Sequence, residues 1–134
     1  MFAITGKKST SLCFPKMLFV SGHSPNFSLT YRVYDFFSEI YEVSADVEVC
    51  HTNLRDEHAV GFTEVNGDEQ FIQIHNGLNR EEFIVTLLHE LVHVVQNEQG
   101  MIDETERESE AYDLEGILYS QFLRVSDKNV CHKF

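Results

Sequence analysis

The sequence predicts an α+β domain in which a small, mainly antiparallel sheet packs on a strongly apolar helix and on a second long helix that follows it. Three observations indicate this class. Apolar residues recur at helical spacing in three segments, apolar and polar residues alternate in a strand-like run between the first two, and an Asn-Gly dipeptide precedes a further apolar run. The chain has 134 residues, and we expect one domain over 1–134.

The sequence predicts a loop at the amino-terminal part of the chain, followed by a helix. Residues 1–26 contain both prolines and show no sustained period, so we expect an irregular segment with at most one short strand. A helix is predicted from Phe27 to about Val43, because apolar residues return there every three or four positions. These residues are Leu29, Val33, Phe36, Phe37 and Ile40.

The sequence predicts β-strands in the middle of the chain. Asp46–His51 alternates polar with apolar residues, as a half-buried strand does, and His58–Val65 is a second candidate. The dipeptide Asn66-Gly67 favours a tight turn, and another apolar run follows it. That run contains Phe71, Ile72 and Ile74. The combination predicts a hairpin.

The most apolar segment, Phe83–Val95, predicts a helix through the middle of the domain, because it leaves almost no polar face. Asn79 followed three residues later by Glu82 is typical of a helix start. Gln99-Gly100 is typical of its end.

A last long helix is predicted over Asp103–Leu123, and residues 125–134 are expected to form a tail. The buried stripe of this helix is predicted to contain Ala111, Leu114, Ile117, Leu118 and Phe122.

Charge and cysteine content exclude several classes of protein. Lys and Arg number 10 against 22 Asp and Glu, a net charge of −12, which excludes a basic nucleic-acid-binding surface. Cys13, Cys50 and Cys131 form no CxxC pair, which favours a reducing compartment. The apolar run Met17–Val20 is too short for a signal peptide or a membrane span. We therefore expect a cytoplasmic protein without nucleic-acid or membrane partners.

The central helix carries His89-Glu90-Leu91-Val92-His93, an HExxH motif. Residues four apart share a helical face, so both imidazoles can bind one zinc ion, with Glu90 next to the remaining coordination position. Three polar residues in the most apolar helix would each cost about 1–3 kcal/mol if buried without partners. A metal ion removes that cost, whereas the alternative is a set of core residues with hydrogen-bonding partners.

A catalytic zinc ion usually has three protein ligands and a water. The sequence does not match the extended motif HExxHxxGxxH, because Gln96 and Gln99 occupy the positions of its glycine and third histidine. His132 lies in the predicted tail. The acidic residues of the last helix remain, and these are Glu104, Glu106, Glu108, Glu110 and Glu115.

Helical geometry ranks these acids. Glu110 lies at the edge of the buried stripe and is the preferred third ligand. Glu106 shares that face one turn earlier and is the alternative. Glu108 lies on a more polar face of the helix, and we expect this face to point outward. The other residues on it are Tyr112, Glu115 and Tyr119. The acidic residues between positions 104 and 108 also have a structural explanation. Negative side chains at a solvent-exposed helix start interact favourably with the helix dipole.

Two segments resemble a known family. Thr86–Gln96, with the sequence TLLHELVHVVQ, followed at short range by Glu108–Tyr112, ESEAY, resembles zincin metallopeptidases of the gluzincin type. The resemblance is greatest to the small single-domain forms of microbes and their viruses. It extends over about residues 46–124, and its specific part is much shorter. The predicted hairpin also resembles the sheet of that family, whose edge strand lies along the substrate cleft.

The resemblance implies roles for four residues. It makes His89, His93 and Glu110 the zinc ligands and Glu90 the general base in peptide-bond hydrolysis. The larger members keep transition-state tyrosines and histidines in a carboxy-terminal helical domain that this sequence does not show. The residue that stabilises the oxyanion therefore stays open, and the candidates are Tyr112, Tyr119 and His75.

The sequence thus predicts a zinc metallopeptidase that acts on a peptide or protein substrate, with one Zn²⁺ per chain. The alternatives are a zinc-binding module without catalysis and an acidic protein-binding domain. Glu90 favours the enzyme, because a purely structural zinc site has no use for a carboxylate beside the water position. Two histidines and a glutamate also accept other divalent first-row ions.

Overall fold

The structure, a computed structural model, describes residues 17–131, and it describes side chains through residue 126. Within that range the chain forms three helices and four strands. They are β1 (Leu18–Gly22), α1 (Phe27–Ile40), β2 (Asp46–Thr52), β3 (Gly61–Asn66), β4 (Glu69–His75), α2 (Arg80–Glu98) and α3 (Glu104–Cys131). The predicted α+β class is confirmed.

The four strands form one mixed sheet in the order β1-β2-β4-β3. The expected hairpin is confirmed, since β3 and β4 are antiparallel and Gly67 lies in the turn between them with a φ of 65°. However, β1 pairs with β2 and β2 pairs with β4 in parallel, so the prediction of a mainly antiparallel sheet was wrong. The helical crossover α1 makes β1 and β2 parallel, and the chain reverses twice between β2 and β4.

Several element boundaries also differ from those predicted. The strand β1 is the one short strand that was expected within residues 1–26, whereas α1 ends at Ile40, three residues before the predicted end. The helix α3 continues to Cys131, through most of the predicted tail. Predictions about residues 1–16, including Cys13, and about His132 fall outside the described residues.

The start of α2 is the one predicted. The Asn79 side chain accepts a hydrogen bond from the Glu82 backbone N–H at 2.8 Å, and the Asn79 N–H donates to the Glu82 carboxylate at 3.1 Å. This reciprocal pair satisfies donors that a helix start otherwise leaves unpaired.

The core lies between one face of the sheet and the helices. Alternate residues of β2 and β4 point into it, and α2 packs against α1, α3, β3 and β4. Along α2 every residue from Leu87 to Gln96 is buried, which agrees with its continuous apolar sequence. Among the described residues, no helix is both long and apolar enough to cross a membrane.

Candidate metal centre

The two histidines of the HExxH motif lie side by side on α2. His89 and His93 are buried, with 9% and 6% of their surface exposed, and their ring centroids are 4.8 Å apart. Their rings face a cleft of about 1070 Å³ between β3, α2, α3 and the loop that precedes β3. The helical spacing that predicted a shared face is thus realised.

Glu108 on α3 completes a group of three around these rings. Its Oε1 lies 3.2 Å from Nε2 of His89, and its Oε2 lies 2.9 Å from Nε2 of His93. One donor atom from each residue lies within 4.8 Å of the other two, a set that could hold a metal ion. Two imidazoles and a carboxylate are the ligand types of catalytic zinc sites.

The expected outward orientation of Glu108 was wrong. Glu108, Tyr112 and Glu115 do share one polar face of α3, but that face lines a solvent-accessible cleft that also contains the two histidines. A polar helix face can contact either bulk water or a polar site within the protein, and the spacing of residues along the helix does not distinguish these two surroundings. The side chain of Glu108 is 41% exposed, because the cleft is open to solvent.

The two acids that the sequence ranked above Glu108 lie elsewhere. Glu110 is buried, with 5% of its surface exposed, and it accepts a hydrogen bond from Gln96 Nε2 at 2.7 Å. Glu106 is exposed at the start of α3, where its backbone N–H donates to Asp103 at 2.9 Å. The structure therefore brings Glu108 to the histidines, and it places Glu110 behind them.

Each histidine has a partner on its far side. Nδ1 of His89 lies 2.7 Å from Glu115 Oε1, and Nδ1 of His93 lies 2.8 Å from Gln96 Oε1. Such partners fix the ring orientation of metal-binding histidines. Sequence reasoning did not assign these roles. Two features of the sequence could have indicated these roles. Gln96 follows His93 by three residues, and Glu115 follows Glu108 by two helical turns.

Glu90 lies between the histidines and the edge strand. It is buried, and Thr63 Oγ1 on β3 donates a hydrogen bond to its Oε1 at 2.6 Å. Burial raises the pKa of Glu90, whereas the Thr63 hydrogen bond and the two histidines act in the opposite direction. A side chain at Gly61 would begin only 3.2 Å from the Glu90 carboxylate, so a glycine leaves room beside this group.

Two of the three candidate oxyanion partners line the cleft. The Tyr112 ring lies 4.7 Å from the His89 ring and is largely exposed. His75 accepts a hydrogen bond on Nδ1 from the Leu54 backbone N–H at 3.0 Å, which leaves Nε2 as its donor. Tyr119 packs against the hydrophobic core instead.

The fold and the site together define a small α+β protein with a His-His-Glu group that could bind a metal ion. The family model described as the IrrE N-terminal-like domain, Peptidase_M78, matches residues 43–118. Since this match covers more than half of the chain, the protein belongs to that family, which is zinc metallopeptidase-like. No curated protein and no solved structure gave a significant match to the chain.

Proposed function

We propose that the protein is a zinc-dependent peptidase with a zincin-like domain of the gluzincin type. His89, His93 and Glu108 are the zinc ligands, and Glu90 is the general base. The observation that carries this proposal is the Glu108 carboxylate, which lies within 3.2 Å of Nε2 of both histidines. When bound, zinc supplies Lewis-acid polarisation of the scissile carbonyl and a lowered pKa of the attacking water.

The residues around the site support catalysis rather than a structural role. Glu90 accepts a proton from the attacking water and delivers it to the leaving amine. Thr63 holds Oε1 of this carboxylate through its 2.6 Å hydrogen bond. A structural zinc site needs a fourth protein ligand, and the group found among the described residues has three members.

The edge strand β3 supports an extended peptide or protein as the substrate. Among the described strands it pairs with β4 alone, and its residues Gly61–Glu64 line the cleft. The free edge offers backbone groups to a substrate in extended conformation. This mode of binding holds the substrate beside Glu90 without reading much of its sequence.

The test of the proposed function combines metal analysis with a variant of the base. Purified protein is expected to contain about one zinc per chain. Glu90→Gln keeps the size of the side chain and removes proton acceptance, so zinc stays while hydrolysis of a peptide library falls by at least about 10²-fold. Zinc well below one per chain contradicts the ligand set. A zinc-loaded wild type that cleaves no peptide of the library contradicts the peptidase.

A further inference from the structure

A buried polar pair lies directly behind His93. Gln96 has no exposed surface and Glu110 has 5%, although both side chains are polar. Neither residue belongs to the group that could hold the metal. Burying polar side chains costs free energy unless they are hydrogen-bonded. The hydrogen bonds of Gln96 and Glu110 therefore indicate which neighbouring groups these two side chains position.

The surroundings of Gln96 determine which way its amide points. Its Nε2 lies 2.7 Å from the Glu110 carboxylate and 3.1 Å from the carbonyl oxygen of Arg107. The carbonyl oxygen of Arg107 can only accept a hydrogen bond, and a carboxylate oxygen accepts one as well. The NH₂ group must therefore face these two atoms, and both of its hydrogens are used.

The orientation of Gln96 determines in turn which nitrogen of His93 carries a proton. Oε1 of Gln96 is left facing Nδ1 of His93 at 2.8 Å. Since Oε1 can only accept, Nδ1 must donate. The lone pair available for a metal ion is then the one on Nε2, which is the nitrogen that faces Glu108.

We propose that Gln96, oriented by Glu110, is a positioning residue that holds His93 with its proton on Nδ1 and its Nε2 toward the metal site. This inference rests on the proposed function, because it assumes that His93 binds zinc. It also gives Glu110 a role beside the site, since that carboxylate fixes the amide instead of contacting the ion. His89 differs, because the carboxylate of Glu115 holds its Nδ1 directly.

The first test compares two buried glutamines that both bond to α2. Gln70 donates to the Val94 carbonyl oxygen at 2.9 Å and accepts from Asn97 at 2.8 Å, without contacting a histidine. Gln96→Leu is expected to weaken zinc binding by about 10- to 100-fold. Gln70→Leu should lower stability and leave zinc affinity within about twofold of the wild type. Equal affinities in the two variants would overturn the proposal.

A second test exchanges the members of the pair. Gln96→Glu alone puts two carboxylates in contact inside the protein, and we expect it to destabilise the fold. Adding Glu110→Gln restores a donor and an acceptor between the two positions, and residue 96 still accepts from His93, although the Arg107 carbonyl oxygen loses its donor. The double variant should therefore be less stable than the wild type, but it should bind zinc more tightly than Gln96→Leu. If it binds zinc as weakly as Gln96→Leu, the proposed role of the acceptor at 96 is wrong.

The proton on His93 can also be observed directly in the wild type, so the test does not depend on a variant that folds. Correlated ¹H and ¹⁵N spectra of the imidazoles should show a proton on Nδ1 of His93 in the metal-free and in the zinc-loaded protein. An Nδ1 without a proton would overturn the inference. A wild type with this proton but without zinc affinity would instead contradict the proposed function, so the two failures are distinguishable.

Discussion

Among the described residues, two regions bury histidine, and they differ in what surrounds the rings. In the candidate metal centre, both nitrogens of His89 and of His93 have polar partners, and Glu108 bridges the two rings. His51 on β2 is buried more deeply, with 2% of its surface exposed, and it lies between the rings of Phe27 and Phe83 at 5.8 and 5.4 Å. Burial of a histidine therefore does not make a metal centre.

The hydrogen bonds of His51 show why its surroundings cannot bind an ion in the same way. Thr30 Oγ1 donates to the Asn26 carbonyl oxygen at 3.2 Å, so it accepts from Nε2 of His51 at 2.8 Å. Nδ1 of His51 has no partner among the described residues. A metal centre needs several ring nitrogens and a carboxylate that face one point, and His51 faces aromatic rings.

The largest expected difference between the two regions is in metal content. His93→Leu removes a proposed ligand, and zinc should fall from about one per chain to nearly zero. The matched variant His51→Leu should keep its zinc. Metal analysis of both purified variants measures this, and loss of zinc in His51→Leu with a native circular dichroism spectrum would place the metal elsewhere.

The next largest effect separates the acids of α3. Glu108→Ala is expected to weaken zinc binding by at least about 10²-fold, because it removes the carboxylate that faces both rings. Glu110→Ala should cost about tenfold through Gln96, and Glu106→Ala should have almost no effect. Zinc titrations of the three variants measure the order. A larger loss in Glu110→Ala than in Glu108→Ala would support the ranking made from the sequence.

A smaller effect concerns the pKa of Glu90. Burial raises this pKa and the Thr63 hydrogen bond opposes the rise, so Thr63→Val should raise it further. Hydrolysis needs the unprotonated base, and the acidic limb of kcat/KM should move to higher pH by less than about one unit. Thr52→Val on β2 is the control. A limb that stays in place in Thr63→Val would show that the hydrogen bond does not tune the base.

The smallest effect is on stability in the second region. Burial lowers the pKa of His51, so the unfolded state binds more protons between the ordinary value of about 6.5 and the lowered one. The free energy of unfolding should therefore fall as pH falls below about 6.5, by at most about 1.4 kcal/mol per pH unit from this residue. His51→Leu should make that dependence shallower. Urea unfolding between pH 5 and 8 would show it, and an unchanged slope would exclude His51 as its source.

The choice between Glu108 and Glu110 shows where reasoning from the sequence ended. Each residue of a helix is rotated by about 100° from the one before, so these two side chains leave α3 on nearly opposite sides. The apolar stripe located the buried side of α3, although its member Ile117 is exposed, and Glu110 is indeed buried there. Which side reaches the histidines depends on how α3 lies across α2, and spacing along one helix does not determine that.

The sheet shows the same limit. The hairpin of β3 and β4 was predictable, because its two strands and its Asn66-Gly67 turn are neighbours in the chain. The parallel pairs join strands about thirty and about twenty residues apart, and nothing local specifies them. They also place β3 at the edge beside Glu90, where Thr63 reaches the Glu90 carboxylate.

The sequence by itself determined the features that depend on neighbours within a few residues. These include the extent and capping of α2, and the shared face of His89 and His93 with Glu90 beside them. Only the tertiary structure decided which acid joins the histidines, which partners hold their far nitrogens, and which strand borders Glu90. The physical reason is that helical and hairpin geometry act over a few residues, whereas these contacts depend on how separate elements pack.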